Sequence, residues 1–555
     1  MDVKPFQTRF SSLETARSSY IPVWQDIQTY ILPTHGFFTG TPGQARTMDF
    51  KKFLNNTPSQ SIRTLSSGMS SGLTSPSRPW FKLGLQNPEL MDLEPVKLWL
   101  NEVQKRMEAV FQRSNFYEAI NACYAELGSF CTGVIIILND YDNVIRVKTF
   151  TAGEYMLGTG ADGKVNTFAR YCNFTVAQLV QEFGIENVSS QVASQFNGNT
   201  NVDAFIKVCH LIEPNDDRIP DKQDFKNMPF RSVYWEQGGA ENKFLRVSGY
   251  EEFPVMAPRW FTIGDSAYGV GPGWEALPDC KLLHKMVSRK FIGLDKVLDP
   301  PMVKDPSITG HSSTLPGGVT VAPAGNQNSG FRPAYQIELR LNEIRQDIGE
   351  TKKDIREAFY NDLFMMMTNI DKSGVTAEEI IRKNEEKMLL LGPVVGGVES
   401  ELLDPAIDRT FNVMLRAGML PPPPQELQGQ SLKIDYISPL AQAQKMVGIT
   451  SINQLSAYIT NLAAVYPDVL DKFNPDESVD EVADMLGTSP KLLKSSDEVA
   501  QIRDQRQKAA LAQQQAALAQ TAVDAGKKLS ETGMNKGSAL DSLMKPGEAP
   551  APAGN

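Results

Sequence analysis

The seven residues Gly158-Thr-Gly-Ala-Asp-Gly163-Lys164 have the spacing G-x-x-x-x-G-K. In a phosphate loop that spacing lets backbone amides cradle a nucleotide's phosphates while the lysine reaches the outer ones. Such a loop also needs a serine or threonine after the lysine to hold Mg²⁺, and a helix whose N-terminus faces the phosphates. Here Val165 follows, and Asp162-Gly163 stands between strand-like segments as a hairpin turn would. No nucleotide site is expected. Gly269-Val-Gly271-Pro-Gly273 fails as a dinucleotide motif for similar reasons. Pro272 has no amide to donate, and neither a strand-helix-strand unit nor a suitably spaced acidic residue accompanies it. A tight turn before a helix is its expected role.

The other reactive side chains are as poorly arranged for catalysis. His35, His210, His284 and His311 show no ligand spacing, and no serine or cysteine nucleophile motif occurs. The cysteines (Cys123, Cys131, Cys172, Cys209, Cys280) are odd in number, scattered and never C-x-x-C, so they read as reduced, mostly buried thiols. Cys209 and His210 fall in a strand, where adjacent side chains face opposite ways. The expectation is a protein without catalytic residues, cofactor or metal: not an enzyme.

Composition sets outer bounds. The 555 residues, 41% hydrophobic, suffice for three or four domains with real cores. A net charge of −10, from 65 acidic against 55 basic residues, argues against gripping nucleic acid over the whole surface, while leaving room for a locally basic lining. The longest aliphatic run, Val134 to Leu138, is too short to span a bilayer, and the N-terminus lacks the charged and apolar regions of a signal peptide. No membrane association is expected, and the chain should stay in the cytoplasm.

The elements that position these residues are mostly helical, giving an α+β, mainly α chain. One helix is expected from Thr8 to Leu32, ended by Pro33. Another runs from Ser59 to about Leu73, with small residues on one face (Ser66, Gly68, Ser70, Gly72) that permit close approach. Pro95 suits the first turn of a helix to Arg113, and Ser114 or Asn115 could cap the next, to Gly128. Val134–Leu138 and Val144–Phe150 read as a β-hairpin. Further strands are expected near 154–171, 205–213, 231–237 and 243–248. A helix from about Trp274 to Leu298 carries Lys281, His284, Lys285, Arg289, Lys290 and Lys296. These cations form either a solvated face or a functional one. Residues 299–333 are loop-rich, with a short strand signal at Val319-Thr-Val321.

The clearest periodicity lies between Gln336 and Leu391. Ile337, Leu341, Ile344, Ile348, Ile355, Phe359, Leu363 and Met366 line one face of a helix, and Arg345, Asp347, Lys352, Lys353 and Arg356 the other. The rod would be roughly 45 Å long. It ends in Met365-Met366-Met367, which reads equally as core packing or as a mobile contact at a loop base. A break at 367–375 follows, and Thr376 with Glu379 forms a capping box, with Val375 and Ile380 as a hydrophobic staple, for a new helix. That helix heads towards Gly418, bent or interrupted at Gly392-Pro393 and Gly396-Gly397, before Pro421 to Pro424. Leu432–Ile437 reads as a strand, 439–490 as a small helical bundle, Asp497–Ala525 as an Ala/Gln-rich helix, and the last thirty residues as disordered.

Several stretches together resemble the portal, or head-to-tail connector, proteins of short-tailed bacteriophages. They are Ser75-Pro-Ser-Arg-Pro-Trp-Phe-Lys-Leu83, Tyr268 to Asp279, Val375 to Ile380, Leu390 to Val395 and Glu401 to Phe411, in the family's order. The resemblance implies a ring of typically twelve subunits at one capsid vertex, carrying −120 in all, through which double-stranded DNA is packaged and later ejected. It implies a portal fold with residues 1–271 as wing, 272–298 as first stem helix, 299–335 as clip and 336–366 as second stem helix. The tunnel loop would be 367–375 (Thr368, Asn369, Ile370, Asp371, Lys372, Ser373, Gly374). Next come 376–438 as long wing helix and return strand, 439–497 as helical crown, 498–525 as helical tail or short barrel, and 526–555 as disordered tail. Channel- or DNA-facing cations would be Lys281, Lys285, Arg289, Lys290, Lys352, Lys353 and Arg356. The implied partners are other copies of the chain, DNA held without sequence preference, the terminase large subunit, a tail adaptor, and the major capsid and scaffolding proteins. The implied location is the virion's portal vertex, after synthesis in the host cytoplasm. The alternatives are a helical scaffold or adaptor without a channel, and a nucleotide-hydrolysing motor subunit resting on Gly158–Lys164.

Overall fold

The computed structural model describes residues 2–38, 52–87, 90, 93–219, 222, 224–239, 243–304, 306, 308, 311–315, 318, 331–334, 340–368, 391–427, 432–437, 452, 455–463, 466–485 and 496–531. The chain divides into two units, Met1–Gly487 and Thr488–Asn555.

The first unit opens with α1 (Lys4–Ser18), α2 (Ile21–Tyr30), α3 (Thr57–Leu73), β1 (Phe81–Leu85), α4 (Glu94–Arg113) and α5 (Phe116–Phe130). Strands β2 (Val134–Asp140), β3 (Val144–Phe150), β4 (Tyr155–Thr159) and β5 (Val165–Thr175) follow, then two short helices, α6 (Val176–Phe183) and α7 (Ser190–Asn197). Next come β6 (Phe205–Pro214), β7 (Phe230–Glu236), β8 (Phe244–Tyr250), β9 (Val255–Met256) and, after one helical turn at Pro272–Glu275, α8 (Leu277–Leu298). Strands β10 (Met302–Lys304) and β11 (Phe331–Pro333) lead to α9 (Leu341–Ala358) and α10 (Asn361–Thr368). Residues 391–398 are helical and pass through a π turn, Glu399–Leu403, into α11 (Asp404–Arg416). Strand β12 (Leu432–Tyr436), a helix at 455–463, the 3₁₀ segment Pro467–Lys472 and α12 (Pro475–Met485) complete this unit's described elements. In the second unit the described element is α13 (Ser496–Glu531).

Alternating burial explains the main sheet, the antiparallel β4-β5-β6-β7-β8. On one face Cys209, Leu211, Val233 and Trp235 meet Phe6, Phe10 and Leu13 of α1. On the other, Cys172, Val208 and Tyr234 meet Val176, Leu179 and Val192 of α6 and α7. The larger core joins α2, α3, α4, α5, the β3-β2-β9 sheet, the inner faces of α8, α9 and α10, and the helix from 391.

The expected β-hairpin, the later strands and the helices ending at Leu73 and Arg113 are present. Of the small residues of α3, Gly68 does meet a close neighbour, a Cβ there lying 2.2 Å from the Phe364 ring. At 100° per residue, however, Ser66 and Ser70 lie opposite Gly68 and Gly72, so the four do not share one face. Other expectations need correction. The helix over 8–32 is two helices, because Pro22 in the first turn of α2 cannot donate to the Ser18 carbonyl and would clash with it. Asn115 does not cap α5 with its side chain, its amide instead clamping Val147 of β3 at 2.7 and 2.9 Å, while Ser114, the other expected cap, accepts the Phe116 amide on its Oγ at 3.3 Å.

The rod expected over 336–366 is broken. Tyr360, at φ +55°, takes the left-handed conformation that ends α9 before α10 begins. The buried Asn361 amide donates to the Ser61 carbonyl and accepts from the Ser61 hydroxyl, both at 3.0 Å, and Tyr360 lies against Trp260, so tertiary contacts hold the strained residue. Glycines do not interrupt the helix from 391. Gly396 and Gly397 are helical, and the irregularity is the π turn just before Pro405, where the Asp404 amide reaches back to Glu399. A proline there has no amide for the Glu401 carbonyl and needs room for its ring, which the wider turn supplies. Gly418, at φ +66°, ends α11 as expected, the Met419 amide bonding Met414 and the Gly418 amide Leu415.

Strand β1, pairing with β12, and helices α6 and α7 were not expected. Helix α13 runs to Glu531, so the disorder expected from 526 does not hold for 526–531. The strand signal at 319–321, the capping box at Thr376 and Glu379, and the tail from 532 lie outside the described residues.

Gly349 sits mid-helix in α9, exposed, with no atom within 4 Å of where a Cβ would stand. Gly349→Ala is expected to raise stability by about 0.5–1 kcal/mol, because alanine has less backbone entropy to lose. A rise in the urea midpoint measures it, and an unchanged or lower midpoint would contradict it.

Candidate functional site

The phosphate-loop look-alike is the β4–β5 hairpin turn. Its amides bond within it: Gly160 N–H donates to the Lys164 carbonyl at 2.9 Å and Gly163 N–H to the Gly160 carbonyl at 3.0 Å. Gly163 has φ +74°, and strand β5 follows rather than a helix. The motif makes a turn, not a phosphate cradle. The glycines at 269–273 serve close approach instead. The Gly269 amide donates to Thr132 Oγ1 at 2.8 Å, and a Cβ on Gly273 would stand 1.7 Å from the Ser129 carbonyl oxygen.

The thiols and the imidazoles of His210 and His284 are structural. All five cysteines are buried, and burial pushes the Cys131 and Cys209 thiols up to about 12, far from a reactive thiolate at neutral pH. His210 accepts from Arg170 Nε at 3.1 Å, bonds Ser232 Oγ at 3.0 Å and stacks on Tyr234 at 3.9 Å. Burial first, then Arg170, Arg246 and Lys148, hold its pKa well below the usual imidazole value. His284 accepts the Leu54 amide at 3.0 Å and bonds the Tyr30 carbonyl at 2.9 Å, and burial lowers its pKa. Among the described residues, no group of three or more histidines, cysteines or carboxylates could hold a metal ion.

The prominent feature is the hairpin of α8 and α9. Antiparallel β10 and β11 pin the end of α8 to the approach to α9, and the Ala334 amide closes onto the Pro301 carbonyl at 2.7 Å. Further along, Thr351 Oγ1 meets Met286 Sδ at 3.9 Å, so the helices run antiparallel. Leu277, Cys280, Leu283, His284 and Val287 of α8, with Ile348, Thr351 and Ile355 of α9, face inward. Beyond Val287 the pair leaves the core. Phe291 is 55% exposed and Leu298 81%, where a lone soluble hairpin would carry polar groups.

The expected cations spread over this pair. Lys281 is engaged by Asp26 at 2.5 Å, its ammonium 5.7 Å from the Tyr30 ring centre. Lys285 and Arg289 are exposed, and Lys290 is half-buried. On α9, Lys352 is half-buried, Lys353 is exposed and pairs with Glu357 at 3.4 Å, and Arg356 is exposed. Met367 and Thr368, expected in the loop, are instead the last helical residues of α10, while Asn369, Ile370, Asp371, Lys372, Ser373 and Gly374 lie outside the described residues.

Sequence reasoning missed the anchors of the helix from 391. Glu401, in the π turn, pairs with Arg259, whose guanidinium also donates to the carbonyls of Ser266 and Gly163, each at 2.9 Å. Arg409 reaches the Ile137 carbonyl at 2.8 Å and Glu252 at 3.1 Å, and Arg416 bonds Glu251 and Glu252. Glu401 and Arg409 both lie within one of the family-like stretches, but their partners are too remote in sequence for spacing to pair them.

Residues 4–493 match the family model described as bacteriophage head to tail connecting protein. The chain belongs to that family. It is 41% identical over 544 residues to the portal protein of Salmonella phage epsilon15, which covers 98% of each chain. It is 39% identical over 539 residues to the probable portal protein of Bordetella phage BPP-1, covering 97% of each. Among solved structures, the virion of a native gene transfer agent particle aligns over 84% of this chain and 99% of that one, at 12% identity and a TM-score of 0.34, too slight a likeness to argue from. The resemblance to portal proteins is borne out, and as a head-to-tail connector the chain is a structural phage protein rather than an enzyme. Among the described residues, no helix is long and apolar enough to cross a membrane.

Proposed function

We propose that the chain forms a closed ring, of twelve subunits, at one vertex of the virion, serving as the channel for packaging and ejecting double-stranded DNA. The observation that carries this reading is the similarity to portal proteins along nearly the whole chain. In it, residues 1–271 form the wing, 272–298 and the 336–366 segment the stem, 299–335 the clip, 369–375 the tunnel loop, 376–438 the long wing helix and return strand, and 439–497 the crown. The clip is the docking platform for the terminase large subunit and later the tail adaptor, and the wing meets capsid and scaffolding proteins. Residues 498–525 form a helical extension.

The α8–α9 hairpin supports the stem assignment, since it leaves the core with apolar side chains uncovered, as a rod packed among copies of itself requires. The channel wall draws its cations from among Lys285, Arg289, Lys290, Lys352, Lys353 and Arg356, Lys281 being engaged by Asp26. In an acidic ring they make weak phosphate contacts without base readout, so DNA slides rather than binds.

Negative-stain electron microscopy with native mass measurement tests the ring. Twelve 61.4-kDa chains give an assembly of roughly 0.74 MDa with a central hole. Only monomers or dimers, or rings without a hole, would overturn it, the latter favouring a scaffold. A second test concerns the loop: deleting Asn369 to Ser373 is expected to leave rings intact while cutting genome-filled particles at least tenfold. Normal yields of filled particles would remove the tunnel-loop assignment.

A further inference from the structure

Helix α9 carries its charges in two opposed stripes. At 100° per residue, Glu343, Asp347, Glu350, Asp354 and Glu357 fall at steps of four, three, four and three, on one flank of the core-facing stripe Ile348, Thr351 and Ile355. Arg345, Lys352 and Arg356 fall on the other flank. The centres of the two charged stripes are roughly 160° apart on the helix. All eight side chains are exposed except the half-buried Lys352. Local partners are few: Glu343 pairs with Arg340 at 3.3 Å, Glu357 with Lys353 at 3.4 Å, and Glu350 accepts from Gln346 at 3.0 Å. Among the described residues Asp347, Asp354, Arg345, Lys352 and Arg356 enter no salt bridge.

The stripes also interleave in height. Arg345 stands midway between Glu343 and Asp347, Lys352 midway between Glu350 and Asp354, and Arg356 between Asp354 and Glu357. A second α9 set alongside, parallel and level, would place each cation of one helix between two carboxylates of the other. Cyclic symmetry supplies that arrangement, because rotation about an axis along the helices repeats each α9 at the same height, one flank against the opposite flank of the next. In a regular twelve-sided ring, lines from one member to its two neighbours meet at about 150°, close to the angle between the stripes.

We propose that the acidic flank of α9 docks against the basic flank of α9 in a second copy of this chain, and that this charge interleaving closes the ring. The inference rests on the ring reading above and adds its contact residues. It also divides the expected DNA-facing cations, since Lys352 and Arg356 turn to the neighbour. The narrower arc between the flanks, which carries Asn342, Gln346, Gly349 and Lys353, then faces the axis. Twelve helices spaced at about 8–10 Å leave a bore roughly 20–28 Å wide, enough for a DNA duplex to pass, and along it α9 contributes small and neutral polar groups with one lysine per subunit.

The test uses the full-length chain in two reversed forms. Asp347→Lys with Glu350→Lys and Asp354→Lys leaves two carboxylates against three lysines and makes both flanks basic on balance, and Arg345→Glu with Lys352→Glu makes both acidic. Each alone is expected to need at least tenfold more protein than wild type for half-maximal ring formation, read by native mass measurement and sedimentation. Mixed in equal amounts, the two are expected to assemble again as alternating rings. Circular dichroism checks that both chains keep wild-type helicity, as positions outside the core should allow. If either form makes rings at wild-type concentrations, or if both fail and the mixture fails too, the flank pairing is wrong while the ring reading stands. If wild type makes no rings, the ring reading itself falls.

Discussion

Replacing Glu401 with alanine should destabilise the first unit by about 3–5 kcal/mol, the usual cost of removing one partner from a buried ion pair. The Arg259 side chain is only 5% exposed and Glu401 18%. The glutamate accepts from Arg259 Nε at 3.2 Å and from its backbone amide at 3.0 Å, so alanine strands a buried charge and a buried amide together. Two carbonyls remain for the guanidinium, those of Gly163 and Ser266, and neither neutralises it. Arg259→Met should cost less, about 1.5–3 kcal/mol, because the more exposed Glu401 keeps the amide and can take up water. The double variant should show a coupling of roughly 1–3 kcal/mol. Urea midpoints of the three variants measure this, and hydrogen exchange should quicken first over 391–416. A loss below about 1 kcal/mol for Glu401→Ala would mean that the pair does not hold the helix to the hairpin turn and the 259–266 loop.

What could be read ahead of the structure was what repeats locally. The stripe of α9 and the alternation of β2 and β3 are periodicities of 3.6 and 2, visible within a dozen residues. The break at Tyr360 is not of that kind. A tyrosine in the left-handed region is disfavoured locally, and it persists here through Asn361 against Ser61 and Trp260 against its ring, groups remote in sequence. Strand β1 was missed for a related reason. Phe81-Lys-Leu-Gly-Leu85 is short and contains a glycine, and it becomes a strand by pairing with Leu432–Tyr436. Helix α6 did carry a local signal that went unread, the capping box of Thr175 and Gln178.

The candidate site was legible in its chemistry and not in its scaffolding. The absence of a catalytic constellation followed from Val165 after Lys164 and from histidines without ligand spacing, and the hairpin geometry around Gly163 agrees with the first. The charged stripes of α9 were also present as a pattern. Their openness was not, since it needed the fold to show which helix faces the core leaves free. The anchors Arg259–Glu401 and Arg409–Glu252 stayed hidden because single charged residues carry no periodicity, and ion pairs form across whatever the chain brings together.

Gly273→Ala should be the most damaging single-methyl change in the 269–273 loop, costing about 3 kcal/mol or more. The added Cβ would lie 1.7 Å from the Ser129 carbonyl oxygen and 2.6 Å from its carbon. These are backbone atoms at the buried end of α5, so no side-chain rotamer can relieve the overlap. Ser129 is itself fully buried, and the next turn of chain is committed, with Cys131 in the left-handed region at φ +63° and Gly269 tied to Thr132. The helical turn before α8 would have to lift from α5, loosening the root of the proposed stem. Gly163→Ala is the control. Its site is open, with no atom within 4 Å, and the strain comes from φ +74° alone, worth about 1–2 kcal/mol. Unfolding midpoints and soluble yields of the two variants decide the matter. If Gly273→Ala costs no more than Gly163→Ala, the close approach of the two backbones is not what these glycines provide.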